Sequence, residues 1–128
     1  MGNEELKMKD KGKNILKEKS FTYSVSIVEL YKKCIENKEF VMSKQLLRSG
    51  TAVGAMIREA EFAQSRPDFI HKLSVALKEA NESHYWLELM HCTDYMDTAG
   101  FNKYSEKSNE LISMLVASIK TSKQKLNR

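Results

Sequence analysis

Residues 65–90 read SRPDFIHKLSVALKEANESHYWLELM, and this stretch decides the fold. Ser65, Pro67 and Asp68 form an S-x-x-D pattern with proline in the first turn, which is typical of a helix start. Apolar residues then recur at three- and four-residue steps, the period of an amphipathic helix. The pattern predicts the longest helix of the chain, which begins here and ends around Thr98 to Gly100, where glycine can take a left-handed cap conformation.

Three more segments of helical period surround this stretch. Helix one is predicted over Ser20–Asn37, helix two over residues 46–60, and helix four from near Asn102 to the Lys-rich end. Strand signals are absent, so the sequence predicts an all-α, up-and-down antiparallel four-helix bundle over residues 15–128. Residues 1–14 are polar and Lys-rich, with too little apolar surface to offset the entropy of ordering, and we expect a mobile arm there.

The centre of helix two, SGTAVGA, is unusually small. Gly50 and Gly54 each cost about 1 kcal/mol relative to alanine inside a helix, so their presence needs a compensating reason. Close approach of a neighbouring backbone is one explanation and a local kink is the other. The sequence leaves both open.

Composition limits the class of protein. With 128 residues, 41% apolar and 30% charged, the chain has the make-up of one globular domain. Its apolar runs are far shorter than the roughly 20 residues that span a bilayer, and no apolar h-region follows the basic start. Cys34 and Cys92 form no CxxC pair or disulfide framework. We therefore expect a cytoplasmic protein with reduced thiols and no membrane contact.

Positive charge is concentrated in two segments. The net charge is +4, yet residues 20–119 contain 11 bases and 13 acids, whereas residues 120–128 contain four bases and no acid. Such segments are either solvated ends or salt-sensitive contacts to nucleic acid. The candidate nucleic-acid-binding residues are Lys7, Lys9, Lys11, Lys13, Lys120, Lys123, Lys125 and Arg128.

Two motifs raise the question of catalysis or metal binding. The segment RPDFIH resembles the Rx4H element of helical HEPN ribonucleases, in which Arg66 and His71 could hold a phosphate and assist 2′-hydroxyl attack. An ordinary helix start also explains both residues, and the sequence favours that interpretation. His84, Glu88 and His91 share a helical face and could form a metal clip, or could simply be surface polar residues. No other catalytic or cofactor motif is present, so the sequence predicts a non-enzymatic protein without a cofactor.

Two long runs carry a family resemblance: KEKSFTYSVSIVELYK, and SKQLLRSGTAVGAMIREAEFAQSRPDFIHKLSVALKEANESHYWLELM. Over roughly residues 14–119 the chain resembles the four-helix-bundle proteins encoded in 23S rRNA intervening sequences, also called the S23 ribosomal protein family. The resemblance implies a bacterial protein that forms a ring-shaped homopentamer, with no established enzymatic activity. It also implies distant kinship with the accessory variability proteins of diversity-generating retroelements, which bind RNA or DNA and a reverse transcriptase.

The family signature is matched residue by residue, and its members are expected to be structural or to form an interface. They are Arg48, Gly50, Gly54, Glu59, Ser65, Arg66, Phe69, Lys72, Glu79, Glu82 and Trp86. Their charges could pair between helices or between protomers. One departure is Met56, where the family commonly has asparagine. Helix one also has apolar residues on more than one narrow stripe, which predicts a subunit interface.

Overall fold

Over its described residues, the computed structural model contains four α-helices. The backbone is described for residues 2–127 and the side chains for residues 15–127. The helices are α1 (Gly2–Glu36), α2 (Met42–Glu61), α3 (Arg66–Cys92) and α4 (Thr98–Leu126). The side chains of residues 1–14 lie outside the described part, and the mobility expected for this segment stays a prediction.

Consecutive helices pack against each other, and α1 closes the arrangement by a less extensive contact with α4. Lys17 in α1 pairs with Glu61 at the end of α2 at 3.3 Å, as expected for antiparallel neighbours. The predicted all-α four-helix bundle is confirmed, and no strand occurs between residues 2 and 127. None of the described helices combines the length and hydropathy needed to cross a bilayer.

The core is a continuous stripe along each helix. Its largest fully buried side chains are Tyr23, Ile27, Leu46, Val53, Leu73, Leu87, Met90, Leu111 and Leu115. The stripe on α1 begins at buried Leu16, so the predicted start of helix one at Ser20 is too late. Burial of the apolar side chains that recur at helical spacing is the main stabilising contribution in such a bundle.

The predicted end of helix three around Thr98 to Gly100 is wrong. The helix α3 ends at Cys92, and Asp94 reverses the chain with a φ of 67°, a left-handed conformation that aspartate tolerates. Asp97 then caps α4, because its Oδ1 accepts a hydrogen bond from the backbone N–H of Gly100 at 2.7 Å. Gly100 therefore lies inside the first turn of α4. With 27 residues, α3 is also shorter than α1 and α4, which have 35 and 29.

A buried carboxylate starts α2. Glu39 accepts hydrogen bonds from the backbone N–H groups of Met42 at 2.9 Å and Ser43 at 2.7 Å. Burial alone would raise the pKa of Glu39, but these bonds and those from the Val41 amide and the Ser43 hydroxyl lower it below its usual value. The negative charge also lies at the positive end of the helix dipole.

The two glycines of α2 mark a close approach to α1. A Cβ atom at position 50 would lie 3.0 Å from both Cγ atoms of Ile27. A Cβ atom at position 54 would lie 3.3 Å from the Ser24 hydroxyl oxygen and 3.5 Å from the Ser20 carbonyl oxygen. This crowding supports the close-approach explanation for the small centre of α2.

Candidate functional site

An ion-pair cluster joins α2 to α3. Arg48 Nη1 contacts Glu79 Oε2 at 3.0 Å, and Nη2 donates to Glu82 Oε2. Glu82 Oε2 also accepts a hydrogen bond from Trp86 Nε1 at 3.2 Å. We call these four residues the Arg48 cluster. Further along the same pair of helices, Lys72 Nζ lies 3.4 Å from Glu59 Oε1.

The Arg48 cluster has two carboxylates for one guanidinium. The hydrogen bond to Glu82, followed by the charges of Glu79 and Glu82, raises the pKa of Arg48 despite partial desolvation. The Arg48 side chain is 51% exposed, whereas that of Glu79 is 12% exposed. The arrangement sets the register of α2 against α3 and leaves one unneutralised negative charge near the surface.

A second polar group, not anticipated from sequence, lies in the core. The Tyr23 hydroxyl is hydrogen-bonded to Ser83 Oγ at 2.9 Å and interacts with Ser108. Ser108 Oγ lies 2.7 Å from His84 Nδ1, whose other nitrogen lies 2.9 Å from Glu88 Oε1. Burial raises the pKa of Tyr23 to about 12. The signal in the sequence that could have indicated this network is the presence of serines at buried positions of α3 and α4.

The network has the order hydroxyl, imidazole, carboxylate that is found in serine hydrolases, but its geometry does not serve nucleophilic catalysis. Ser108 has no exposed surface, so no substrate can reach its oxygen. All buried side-chain nitrogen and oxygen atoms of the described residues have hydrogen-bond partners. The network therefore satisfies buried polar groups between α1, α3 and α4.

The metal clip that the sequence left open as an alternative for His84, Glu88 and His91 is not formed. His91 turns away, with its ring stacked on Phe101 at 4.6 Å and its Nε2 3.1 Å from Thr98 Oγ1. Within the described side chains, no group of three or more His, Cys, Asp or Glu residues could hold a metal ion. The three residues instead connect α3 to α4 and to solvent.

The two residues of the ribonuclease hypothesis lie at the start of α3. Arg66 is its first residue and His71 lies five positions on; both are exposed. Five residues of an α-helix rotate by about 140° beyond a full turn, so the two side chains leave different faces. Arg66 has no ion-pair partner among residues 15–127. The geometry brings no phosphate site together there.

The antiparallel topology brings the start of α1 and the end of α4 to one end of the bundle. Lys120 and Lys123 are exposed on the last turns of α4, where they flank an open apolar groove of about 380 Å³ that includes Leu77 and Val116. We call this the basic end. The side chains of Lys7, Lys9, Lys11, Lys13 and Arg128 lie outside the described residues, and Lys125 is half-buried.

A family model described as 23S rRNA-intervening sequence protein matches residues 12–117. The chain belongs to this family. A crystal structure of a protein with unknown function from the S23 ribosomal protein family of Bacteroides thetaiotaomicron VPI-5482 shares 54% sequence identity with it. The match covers 85% of this chain and 98% of that chain, with a TM-score of 0.84. No curated protein matches the chain.

The residues that matched the signature of the 23S rRNA-intervening sequence protein family have structural roles in this chain. Arg48, Glu79, Glu82 and Trp86 come together in one cluster, and other members cap or pack the helices. Ser65 caps α3 by accepting from the Asp68 backbone N–H at 3.2 Å, and Phe69 packs against the core. Met56, at the position where the resemblance led us to expect asparagine, is half-buried and packs against the core.

Proposed function

We propose that this chain is a self-assembling scaffold whose basic end binds nucleic acid, RNA or DNA. One observation carries the proposal: the Lys-rich last turns of α4 lie at the end of the bundle where α1, with its lysine-rich first residues, begins. Lys120 and Lys123 are exposed and have no ion-pair partner among the described side chains. Their charges are therefore available to phosphate groups.

Self-association would strengthen nucleic-acid binding, because each copy in the assembly adds its own basic end. Each protomer offers only a few lysines, and the affinity of a few exposed charges for phosphate is low at physiological salt. Copies held in one assembly bind the same strand with an increased effective concentration, so that weak contacts add up. Apolar side chains that remain exposed on α1 supply a surface for such assembly, in agreement with the subunit interface expected from the sequence.

A salt-dependent titration tests binding at the basic end. Fluorescent single-stranded RNA, structured RNA and duplex DNA are titrated with the full chain at two salt concentrations. The variant K120Q/K123Q should lower affinity for all three, and should reduce the slope of log affinity against log salt by about one per lysine per bound protomer.

The matched control is K32Q/K33Q. These two lysines are exposed near the opposite end of α1 and have no ion-pair partner among residues 15–127. Because the control removes the same charge elsewhere, it should change the affinity less than twofold. Equal losses for the two variants, or no binding at low salt, would reject a nucleic-acid site at the basic end.

A further inference from the structure

The short connection between α2 and α3 exposes an aromatic ring. Phe62 is 82% exposed, more than any other large apolar side chain among the described residues. Its backbone is held in place, because its N–H donates to the carbonyl oxygen of Glu59 at 3.1 Å. The ring contacts no other ring and no cation within residues 15–127. The protomer therefore presents this ring to solvent from a fixed position.

The charges around this connection leave one cation uncompensated. Glu61 Oε1 lies 3.3 Å from Lys17 Nζ, and Asp68 Oδ2 accepts a hydrogen bond from a backbone N–H of the connection at 3.2 Å. Arg66, the first residue of α3, is exposed and has no ion-pair partner in the described part of the chain. An open aromatic ring and an unpaired guanidinium thus stand four residues apart.

Both groups lie at the basic end. The helices α2 and α3 meet at this connection, on the end of the bundle where α4 finishes. Since α3 packs on both α2 and α4, Arg66 at the start of α3 lies between Phe62 and the last turns of α4. Those turns expose Lys120 and Lys123. A ring, a guanidinium and two ammonium groups therefore follow one another across this end.

We propose that Phe62 stacks on an unpaired base, so that the basic end binds single-stranded RNA or DNA more tightly than a duplex. This inference rests on the proposed function and names the form of nucleic acid that is bound. An aromatic ring beside positive charges is the arrangement by which proteins bind single strands without sequence preference. In a duplex each base face is covered by the neighbouring pairs, whereas the phosphates of both forms are open to Arg66 and the lysines.

Fluorescence anisotropy tests the stacking with a labelled RNA of about 16 nucleotides, either alone or annealed to its complement. In the full chain, F62A should lower the affinity for the single strand about 5- to 150-fold, the loss expected for one stacked base. Its affinity for the duplex should change less than twofold. The slope of log affinity against log salt should not change, because no charge is removed.

The matched control is F40A. Phe40 is 56% exposed in the connection between α1 and α2, at the opposite end of the bundle. Its replacement removes the same ring from a surface away from the lysines of α4. The affinity of F40A should therefore equal that of the unmodified chain for both forms of the RNA.

Two further variants separate stacking from other roles of Phe62. F62W should bind the single strand at least as tightly as the unmodified chain, and F62L, which is apolar but has no ring, should bind like F62A. Full affinity of F62L, or equal losses of single-strand and duplex affinity in F62A, would overturn the inference. A lower molar mass of F62A in light scattering would also overturn it, because another copy of the chain would then cover the ring.

The inference and the proposed function fail in different ways. If K120Q/K123Q weakens the binding of both forms but F62A weakens neither, the stacking is wrong and the nucleic-acid site at the basic end remains. If the unmodified chain binds neither form at low salt, the proposed function is wrong, and the stacking is wrong with it.

Discussion

Replacing Gly50 by alanine should destabilise the bundle, although the same change in an unconstrained helix is stabilising. Alanine gains about 1 kcal/mol of helix propensity over glycine. Its Cβ atom, however, would lie 3.0 Å from Cγ1 and Cγ2 of Ile27, which is fully buried and has little room to move. Overpacking of a core costs about 1–3 kcal/mol. The net expectation is a loss of about 0–2 kcal/mol in the free energy of unfolding.

A double-mutant cycle with I27A isolates the steric contribution. I27A alone removes both contacting Cγ atoms and should cost about 2–5 kcal/mol. Adding G50A to I27A should then stabilise the protein by up to about 1 kcal/mol, because the two 3.0 Å contacts are gone and the remaining contact, 3.3 Å to the Cβ atom of residue 27, can relax into the space that I27A creates. Urea unfolding followed by circular dichroism measures all four proteins.

Gly54 provides the matched control in the same helix. A Cβ atom at position 54 would have the Ser24 hydroxyl oxygen as its nearest neighbour, at 3.3 Å, which is less crowded than the 3.0 Å contacts at position 50. G54A should therefore cost less than G50A, or stabilise the bundle. If G50A stabilises the chain equally with and without Ile27, the glycine does not serve close approach of α1 and α2.

Three further perturbations test the polar contacts. Because the pKa of Tyr23 is raised to about 12, the stabilising contribution of this residue is complete below about pH 10 and is lost as pH rises through 12. The variant Y23F should therefore lose less stability at alkaline pH, as measured by urea unfolding. An alkaline loss as large as that of the unmodified chain would contradict this role of Tyr23. Because the pKa of Glu39 is lowered, its contribution is present above the usual carboxylate range and is lost as pH falls through the folded-state pKa. E39Q should lower stability by about 1–2 kcal/mol at pH 7 and reduce the acid loss; equal acid sensitivity would refute the capping role. R48M should cost about 1 kcal/mol at low salt and less at 1 M salt, since the pair is half exposed; a salt-independent cost would point to packing alone.

The sequence predicted the helices well because apolar spacing is a local property that the bundle core then uses. Leu73, Leu87 and Leu115 stand at the predicted period and are fully buried. The end of α3 was misplaced because Gly100 has the residue type of a cap, whereas the chain leaves the helix after Cys92 and reverses at Asp94 in a left-handed conformation. Aspartate takes this conformation less often than glycine, so the sequence pattern did not indicate the end.

The candidate sites were predictable only in part. Residue types indicated that charges of the family signature would pair, but the choice of Arg48 with Glu79 and Glu82 depends on the packing of α2 on α3. The Tyr23 network joins residues of three helices, and no local pattern reports contacts over such distances in sequence. Conversely, the excess apolar character of α1 was visible in the sequence, and the structure leaves Phe21 on the surface.

The account depends on one physical claim, that each protomer keeps apolar surface which is covered only by further copies. Multi-angle light scattering across a hundredfold range of protein concentration measures this directly. We predict a discrete molar mass of several chains that persists at micromolar concentration and falls only on dilution. A mass of one chain throughout that range would contradict the account.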